Sequence, residues 1–348
     1  MKPGSGHLPC KAPLSASRVA LVSAGLILIL FAAILFSLWM GTADVSMGQL
    51  LNLFSGGMEA GDTTRLIVLK IRLPRVLLAG LAGFCLALGG VVFQAILGNP
   101  LADPFILGVS SGSALGAVAG IMLGLGFTVG VPLASFGGAL LSIALLMAVG
   151  TRAMGMESST ILLTGVIINA FFSAVIMFFI ATAADDRLHT MLFWLYGDLS
   201  QSRMSQSFIV APAALAAFGI LYGYAGHLNL VTAGEDAALQ LGVDTQRLKL
   251  VCLVLVSLII GVVVSFSGII GFVGLMVPHL CRMAFGSDHR MLMPVSALSG
   301  AIFLILADTL SRTIISPSEL PVGVITAFLG APFFIYLLRK RGSRWNGS

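Results

Sequence analysis

The feature that most constrains this chain is a recurrence of apolar runs, each about twenty residues long and parted by short polar stretches. A bilayer core takes roughly 20 apolar residues per helix, so runs of this length fit membrane spans. Ten can be drawn: 19–40, 73–97, 108–124, 131–149, 160–183, 208–225, 250–266, a short Gly- and Pro-interrupted eighth within 268–282, then 292–310 and 322–338. Hydrophobic residues make up 58% of the chain and charged ones 9%, with a mean hydropathy of +1.05. That balance excludes an ordinary soluble domain. Barrel-type alternation is absent, so the fold class is all-α: a polytopic membrane protein of about ten transmembrane helices.

Loop charges suggest the orientation. The N-terminal tail, residues 1–18, carries Lys2, Lys11 and Arg18 ahead of a run too long for a signal-peptide core. If that tail is cytoplasmic, ten spans (the domain 19–338) return the tail 339–348 to the cytoplasm. About twelve of the 19 lysines and arginines then lie inside, in keeping with the positive-inside rule. The net charge of +5 therefore reads as loop topology, and no nucleic acid is expected as a partner. Cys10, Cys85, Cys252 and Cys281 show no C-x-x-C spacing and read as small hydrophobes.

Between two spans lies the most polar island, 227–250, with Glu235, Asp236, Asp244, Arg247 and Lys249 within fifteen residues. It reads as two short helices. Thr232 is placed to cap the first, with Glu235 completing a capping box; Ala237, Ala238 and Leu241 form its apolar face. Gly242 would end it at a positive φ, and Asp244 would cap the next helix. A polar helix pair on the cytoplasmic side suits a soluble partner; a plain solvated loop is the alternative.

Span three has glycine at 108, 112, 116, 120 and 124, a stripe that would let a neighbouring helix approach closely. It also holds Gly108-Val109-Ser110-Ser111-Gly112, a formal G-x-S-x-G match. That motif acts only on a strand-to-helix turn, so an intramembrane hydrolase has no support. No G-x-x-x-x-G-K-[ST] occurs, so nucleotide is not bound through a P-loop here. Asp308 is the one acid well inside a predicted span, four residues before Arg312, and reads as a local ion pair. His279, beside Pro278, reads as structural rather than as a haem or metal ligand. The segments 107–117 and 293–301 are faintly alike and hint at an internal repeat.

R-L-P-R at 72–75, G-N-P-L-A-D-P at 98–104, G-V-S-S-G at 108–112, G-F-V-G-L-M-V-P-H-L-C-R at 271–282, the A-D-T-L-S-R end of span nine and L-P-V-G-V-I-T-A-F-L-G-A-P-F-F at 320–334 carry a resemblance. In order and spacing, from about Leu50 to Arg339, the chain resembles the FecCD-type permeases, membrane subunits of ABC importers for iron–siderophores, haem and vitamin B12. The resemblance implies a type II importer permease in the bacterial inner membrane, working as a homodimer with two ATP-binding subunits and one extracytoplasmic binding protein. ATP and Mg would sit on the ATPase, leaving this chain without catalysis, cofactor or metal of its own. It assigns ATPase coupling to Glu235, Asp236, Leu241, Gly242 and Arg247, and the cytoplasmic gate to Asn99, Leu101, Ser158 and Ser159. Arg72, Arg75 and Arg312 match outward arginines that pair with acids of the binding protein; lipid-headgroup anchoring is their alternative. A secondary transporter driven by an ion gradient is the rival reading, and it would need ionisable groups near the midplane.

Overall fold

The computed structural model describes residues 15–41, 43, 45–50, 62–105, 107–150, 158–183 and 185–345; Cys10 and the tail 1–14 lie outside them. Fourteen helices are described here. They are α1 (Ala16–Trp39), α2 (Asp62–Leu66), α3 (Leu73–Ile96), α4 (Val109–Met122), α5 (Gly130–Gly150) and α6 (Ser158–Thr182). Then come α7 (Asp185–Leu195), α8 (Met204–Gly223), α9 (Ala225–Ala233), α10 (Glu235–Gln240), α11 (Thr245–Ser267), α12 (Val273–Phe285), α13 (His289–Thr313) and α14 (Val322–Trp345). Seven helices are long and apolar enough to cross a membrane, and three shorter apolar ones (α4, α12 and residues 322–336 of α14) complete the ten expected spans.

The short helices have a physical consequence. At 1.5 Å per residue, the 13 residues of α12 reach only about 20 Å, less than the roughly 30 Å of hydrocarbon. Irregular backbone must make up the rest, and it is tolerated at that depth only where protein covers it. Residues 268–271 do this beside the turn after α7, where the Val322 N–H donates to the Gly197 carbonyl at 3.0 Å. The 339–345 stretch, expected as a tail, continues α14 as helix.

The bundle is built around α3, which is buried along nearly its whole length. Its main neighbours are α13, α11, α12 and α8. A methyl group on Gly83 would collide with the Gly300 carbonyl of α13, and one on Gly90 would collide with the Gly274 carbonyl of α12. Lipid offers no hydrophobic drive between helices, so association relies on such close backbone contact and its dispersion energy. The same device joins α4 to α5. Gly112 and Gly116 face the backbone of Gly138 and Ala134, while a Cβ on Gly120 would lie 3.2 Å from the Ala134 Cβ. Gly108 and Gly124 flank α4 at φ +82 and +72, so the five-glycine stripe is three helical residues between two end turns. Among the described residues no strand precedes Ser110, which sits in the first turn of α4 and so lacks the nucleophile-elbow geometry. Cys85, Cys252 and Cys281 are buried thiols.

Span two begins earlier than its apolar run suggests. A π-helical segment, Ile67–Arg72, joins α2 to α3, and the Leu73 N–H donates to the Val68 carbonyl five residues back. Pro74 follows and has no N–H to give the preceding turn, which favours this slip of the ladder. Arg72 and Arg75 therefore lie within helix, and the expectation of three outward-exposed arginines does not hold. Arg72, Arg75 and Arg312 are 3%, 5% and 4% exposed. The Arg75 Nε donates to both Asp308 oxygens (3.0 and 3.1 Å), and its Nη1 to Glu319 (2.6 Å). Asp308 also pairs with Arg312 at 3.3 Å, the i,i+4 contact expected from the sequence. Arg312 reaches the Ser37 hydroxyl at 2.7 Å, and Arg72 caps the carbonyls of Leu38, Trp39 and Ala43. The end of α1 needs these donors because its last carbonyls have no helical partner and little water. Neither docking through these side chains nor headgroup anchoring fits their burial.

Two outcomes follow. Asp308→Asn leaves two buried guanidinium groups short of a counter-charge and should cost about 3 kcal/mol or more, whereas Glu319→Gln at the half-exposed edge should cost under about 1 kcal/mol. Melting of the purified variants distinguishes them, and equal losses would contradict the network. Gly116→Ala should destabilise by about 1–3 kcal/mol and more than Gly120→Ala, because backbone at Gly116 cannot yield as a side-chain contact can. The reverse order would refute the α4–α5 contact.

Candidate functional site

At one end of the bundle the chain leaves α8 through a break at Tyr224 and forms α9, α10 and the start of α11. The sequence led us to expect Thr232 as a cap; it is instead the penultimate residue of α9. Its hydroxyl donates back to the Leu228 and Asn229 carbonyls at 3.0 Å each. The break falls at Gly234 (φ +148), so Glu235 and Asp236 open α10 directly, at the positive end of its dipole. Helix α10 ends in a Schellman arrangement. The Gly242 N–H donates to Leu239 O and the Val243 N–H to Ala238 O, both at 3.0 Å, with Gly242 at φ +82. Buried Ala238 and Val243 form the apolar contact that accompanies it. Asp244 then caps α11 through the Arg247 N–H at 3.0 Å.

This turn presents a distinct surface. Leu239 and Leu241 are 52% and 67% exposed, ringed by exposed Glu235, Asp236 and Arg247. Two exposed leucines on a polar, backbone-satisfied knob give it an apolar centre and a charged rim, the layout that protein interfaces share. The knob is held rigidly. Lys249 on α11 is almost fully buried and pairs with Glu235 at 2.7 Å, which ties the two helices together. Asn229 on α9 donates to Asp288 at 2.8 Å and accepts from the His289 N–H at 2.8 Å, which fixes α9 to the start of α13. Asp288 caps α13, and these hydrogen bonds hold its carboxyl below the usual range against the opposing effect of burial.

On the same end the 98–104 turn meets α6. The Asn99 Oδ1 accepts from the Leu101 N–H at 2.9 Å, an Asx turn that leaves Leu101 43% exposed. The Ser158 hydroxyl donates to the Ile96 carbonyl at 3.3 Å, so Ser158 and the adjacent exposed Ser159 sit against the end of α3. Within the turn lies Asp103, which the sequence reading did not single out as a site residue. It is buried and accepts from the Phe105 N–H at 3.0 Å, and burial pushes its carboxyl up to about 6. Gln94 and Arg282 were equally illegible: Arg282 donates to Gln94 at 2.8 Å, and Gln94 to the Gly274 carbonyl at 3.3 Å, bridging α3 and α12.

His279 is buried in α12 with Phe333 and Phe334 of α14 at 6.4 Å between ring centroids, as part of helix packing. Among the described residues no three His, Cys, Asp or Glu side chains come together as a metal site.

The model of the FecCD transport family matches residues 28–340. The cobalamin import system permease protein BtuC of Halobacterium salinarum is 43% identical over 81% of this chain and 76% of its own length. The hemin transport system permease protein HmuU of Yersinia pestis is 38% identical over 92% and 96%. A solved structure described as a metal-chelate type ABC transporter in an inward-facing conformation superposes with a TM-score of 0.82, 31% identity, and coverage of 92% of this chain and 99% of that one. With a family model spanning nine-tenths of the chain and relatives that share its fold, this chain belongs to the FecCD transport family.

Proposed function

We propose that this chain is the membrane-spanning permease of an ABC importer for an iron chelate, haem or cobalamin, with ATP hydrolysed by a separate subunit seated on α10. The observation that carries the reading is the knob of Leu239 and Leu241, tied by Glu235–Lys249 to a membrane helix and by Asn229 to α13. Force applied to such a knob reaches two spans without first deforming a loop. Two permease copies, two ATPases and one binding protein form the working assembly, with α10 and both chain ends in the cytoplasm. The 98–104 turn, with Asn99, Leu101, Ser158 and Ser159, forms the gate on that side. A gradient-driven carrier is disfavoured because Asp308 is already locked between Arg75 and Arg312.

The test is uptake into proteoliposomes holding the permease, its ATPase and its binding protein, offered ferric siderophore, haem or cobalamin. One of these should stimulate ATP hydrolysis and enter only with ATP inside the cytoplasmic face. Uptake driven by an ion gradient without ATPase would overturn the reading.

Leu241→Asp removes an apolar anchor and should weaken ATPase association about tenfold or more while leaving membrane insertion intact. Gly242→Val forces a β-branched residue to a positive φ, costs about 1 kcal/mol or more, and should act in the same direction. Normal co-purification of both variants would remove α10 as the docking point.

Asp103 predicts a pH dependence. The unfolded chain releases this proton near pH 3.9 and the folded one near 6. Between those values the native state holds more protons, so its stability falls as pH rises through that window, by about 3 kcal/mol. Asp103→Asn keeps the oxygen that accepts from Phe105 and should flatten the melting profile between pH 4.5 and 7.5. An unchanged profile would mean that Asp103 is solvated.

A further inference from the structure

At the end of the bundle opposite α9 and α10, three helices stop at one level. Helix α5 begins at Gly130, α8 begins at Met204, and α11 ends at Ser267. The amphipathic α7 lies against this corner, with Met191 and Trp194 buried beneath it. Between them is a cavity of about 290 Å³, with polar lining from His189 and Thr190 of α7, Asp198 and Gln201 of the next loop, and Gln206 of α8. Phe127, Phe193, Trp194 and Phe266 rim it, aromatic residues of the kind that settle at a membrane–water boundary. A second cavity of about 250 Å³ shares Pro132, Ser265 and Phe266 with the first, and runs one to two turns deeper along Leu133, Phe136, Ile209 and Val262. Leu133 and Ile209 are 65% and 55% exposed, so this lower space is a slot open to the bilayer.

A polar chamber at the ends of three spans, adjoining an apolar slot that shares Pro132, Ser265 and Phe266 with it, has the amphipathic layout of a single phospholipid. The chamber's chemistry selects the head group. Gln206 is 5% exposed, and its Oε1 accepts from the Arg203 N–H at 2.9 Å, which leaves the amide nitrogen as the donor it offers the chamber. That donor and the His189 ring, tilted against Phe193 with centroids 4.3 Å apart, suit phosphate oxygens. Asp198 holds Ser200 through its N–H (2.7 Å) and hydroxyl (2.8 Å) and retains lone pairs for a cation. Among the described residues no Lys or Arg lines either cavity, so a head group of net negative charge would meet Asp198 without compensation. We propose that the two cavities form one site for a phospholipid with an amine head group, of the phosphatidylethanolamine type. Its phosphate lies at Gln206 and His189, its ammonium at Asp198, and one acyl chain in the slot between α5, α8 and α11. Bound there, the lipid joins α7 to the bundle, where protein contacts alone leave two adjoining spaces.

The site is tested by native mass spectrometry of the purified transporter, delipidated and then titrated with phosphatidylethanolamine or phosphatidylglycerol of matched acyl chains. Wild type should retain one phosphatidylethanolamine per chain and bind phosphatidylglycerol at least tenfold more weakly. Gln206→Glu keeps the capping oxygen but places negative charge against the phosphate, and Ile209→Trp fills the slot from a lipid-facing position. Each should weaken retention at least tenfold while the complex stays assembled. Equal retention of both lipids, or unchanged retention in both variants, would reduce the site to ordinary annular lipid. A cross-link between Ile209→Cys residues of two copies would show that a second chain covers the slot, and would also overturn the proposal. None of these readouts depends on transport, so the assignment as an importer stands or falls separately.

Discussion

Everything in this bundle depends on how closely other backbones can approach α3. In water a buried helix is driven inward by the cost of wetting its side chains. In lipid that drive vanishes, because hydrocarbon lies on both sides of the comparison. Contact area and unhindered approach must serve instead. The glycine pairs 83/300 and 90/274 let α13 and α12 come against α3 at backbone distance, on different faces and at different depths. A single methyl at any of the four positions would meet a carbonyl or backbone atom that cannot rotate away. The order of the remaining helices follows from that centre: α11 and α8 close the other sides, and α1 is carried on α13.

The charged residues are concentrated where this packing ends. Arg72, Arg75, Arg312 and Asp308 lie where α1, α3 and α13 converge, and they satisfy the open end of α1 and one another. A buried network of this kind adds little net stability over an apolar one of equal volume, but it is severe on any arrangement that breaks it. It therefore fixes the register of three helices at one end. At the opposite end polar groups do a comparable job across elements. Asn229 joins α9 to α13, Gln94 and Arg282 join α3 to α12, and Glu235 joins α10 to α11. The knob at Leu239 and Leu241 is tied to α11 and α13, two of the helices packed on α3.

The sequence disclosed what depends on local chemistry and withheld what depends on distant partners. Ten apolar runs became ten helices because run length is set by the bilayer, whatever the neighbours. The Asp244 cap, the positive φ at Gly242 and the Asp308–Arg312 pair each need fewer than five residues of context, and all were legible. Arg75 was misread because its partners, Asp308 and Glu319, lie 233 and 244 residues away; only the topology brings them together. Thr232 was misread because two positions only two residues apart, 232 and 234, could both break a helix, and the strain-free choice was the glycine. Helix α7 went unseen because its opening, Asp185-Asp186-Arg187, looks like a loop, while the contacts of Met191 and Trp194 that hold it come from other helices. Asp103, Gln94 and Arg282 carried no signal because a lone polar residue in an apolar run does not announce what it faces.

Helix α6 departs from the pattern, and the departure bears on transport. Its main neighbours are only α4 and α5, and Leu163, Ile167, Phe171 and Phe178 along its length are each more than half exposed. Its first residue, Ser158, touches the end of α3 beside the 98–104 turn through one 3.3 Å hydrogen bond to a backbone carbonyl. A helix that must shift while its neighbours stay packed is best held by few contacts, since every contact made in only one state opposes the change. Among the described residues the buried ion network does not reach α6. Packing around α3 and attachment of α6 therefore differ within one bundle: glycine contacts and buried ion pairs hold the first, while the second begins on a single hydrogen bond beside the turn at Asn99 and Leu101.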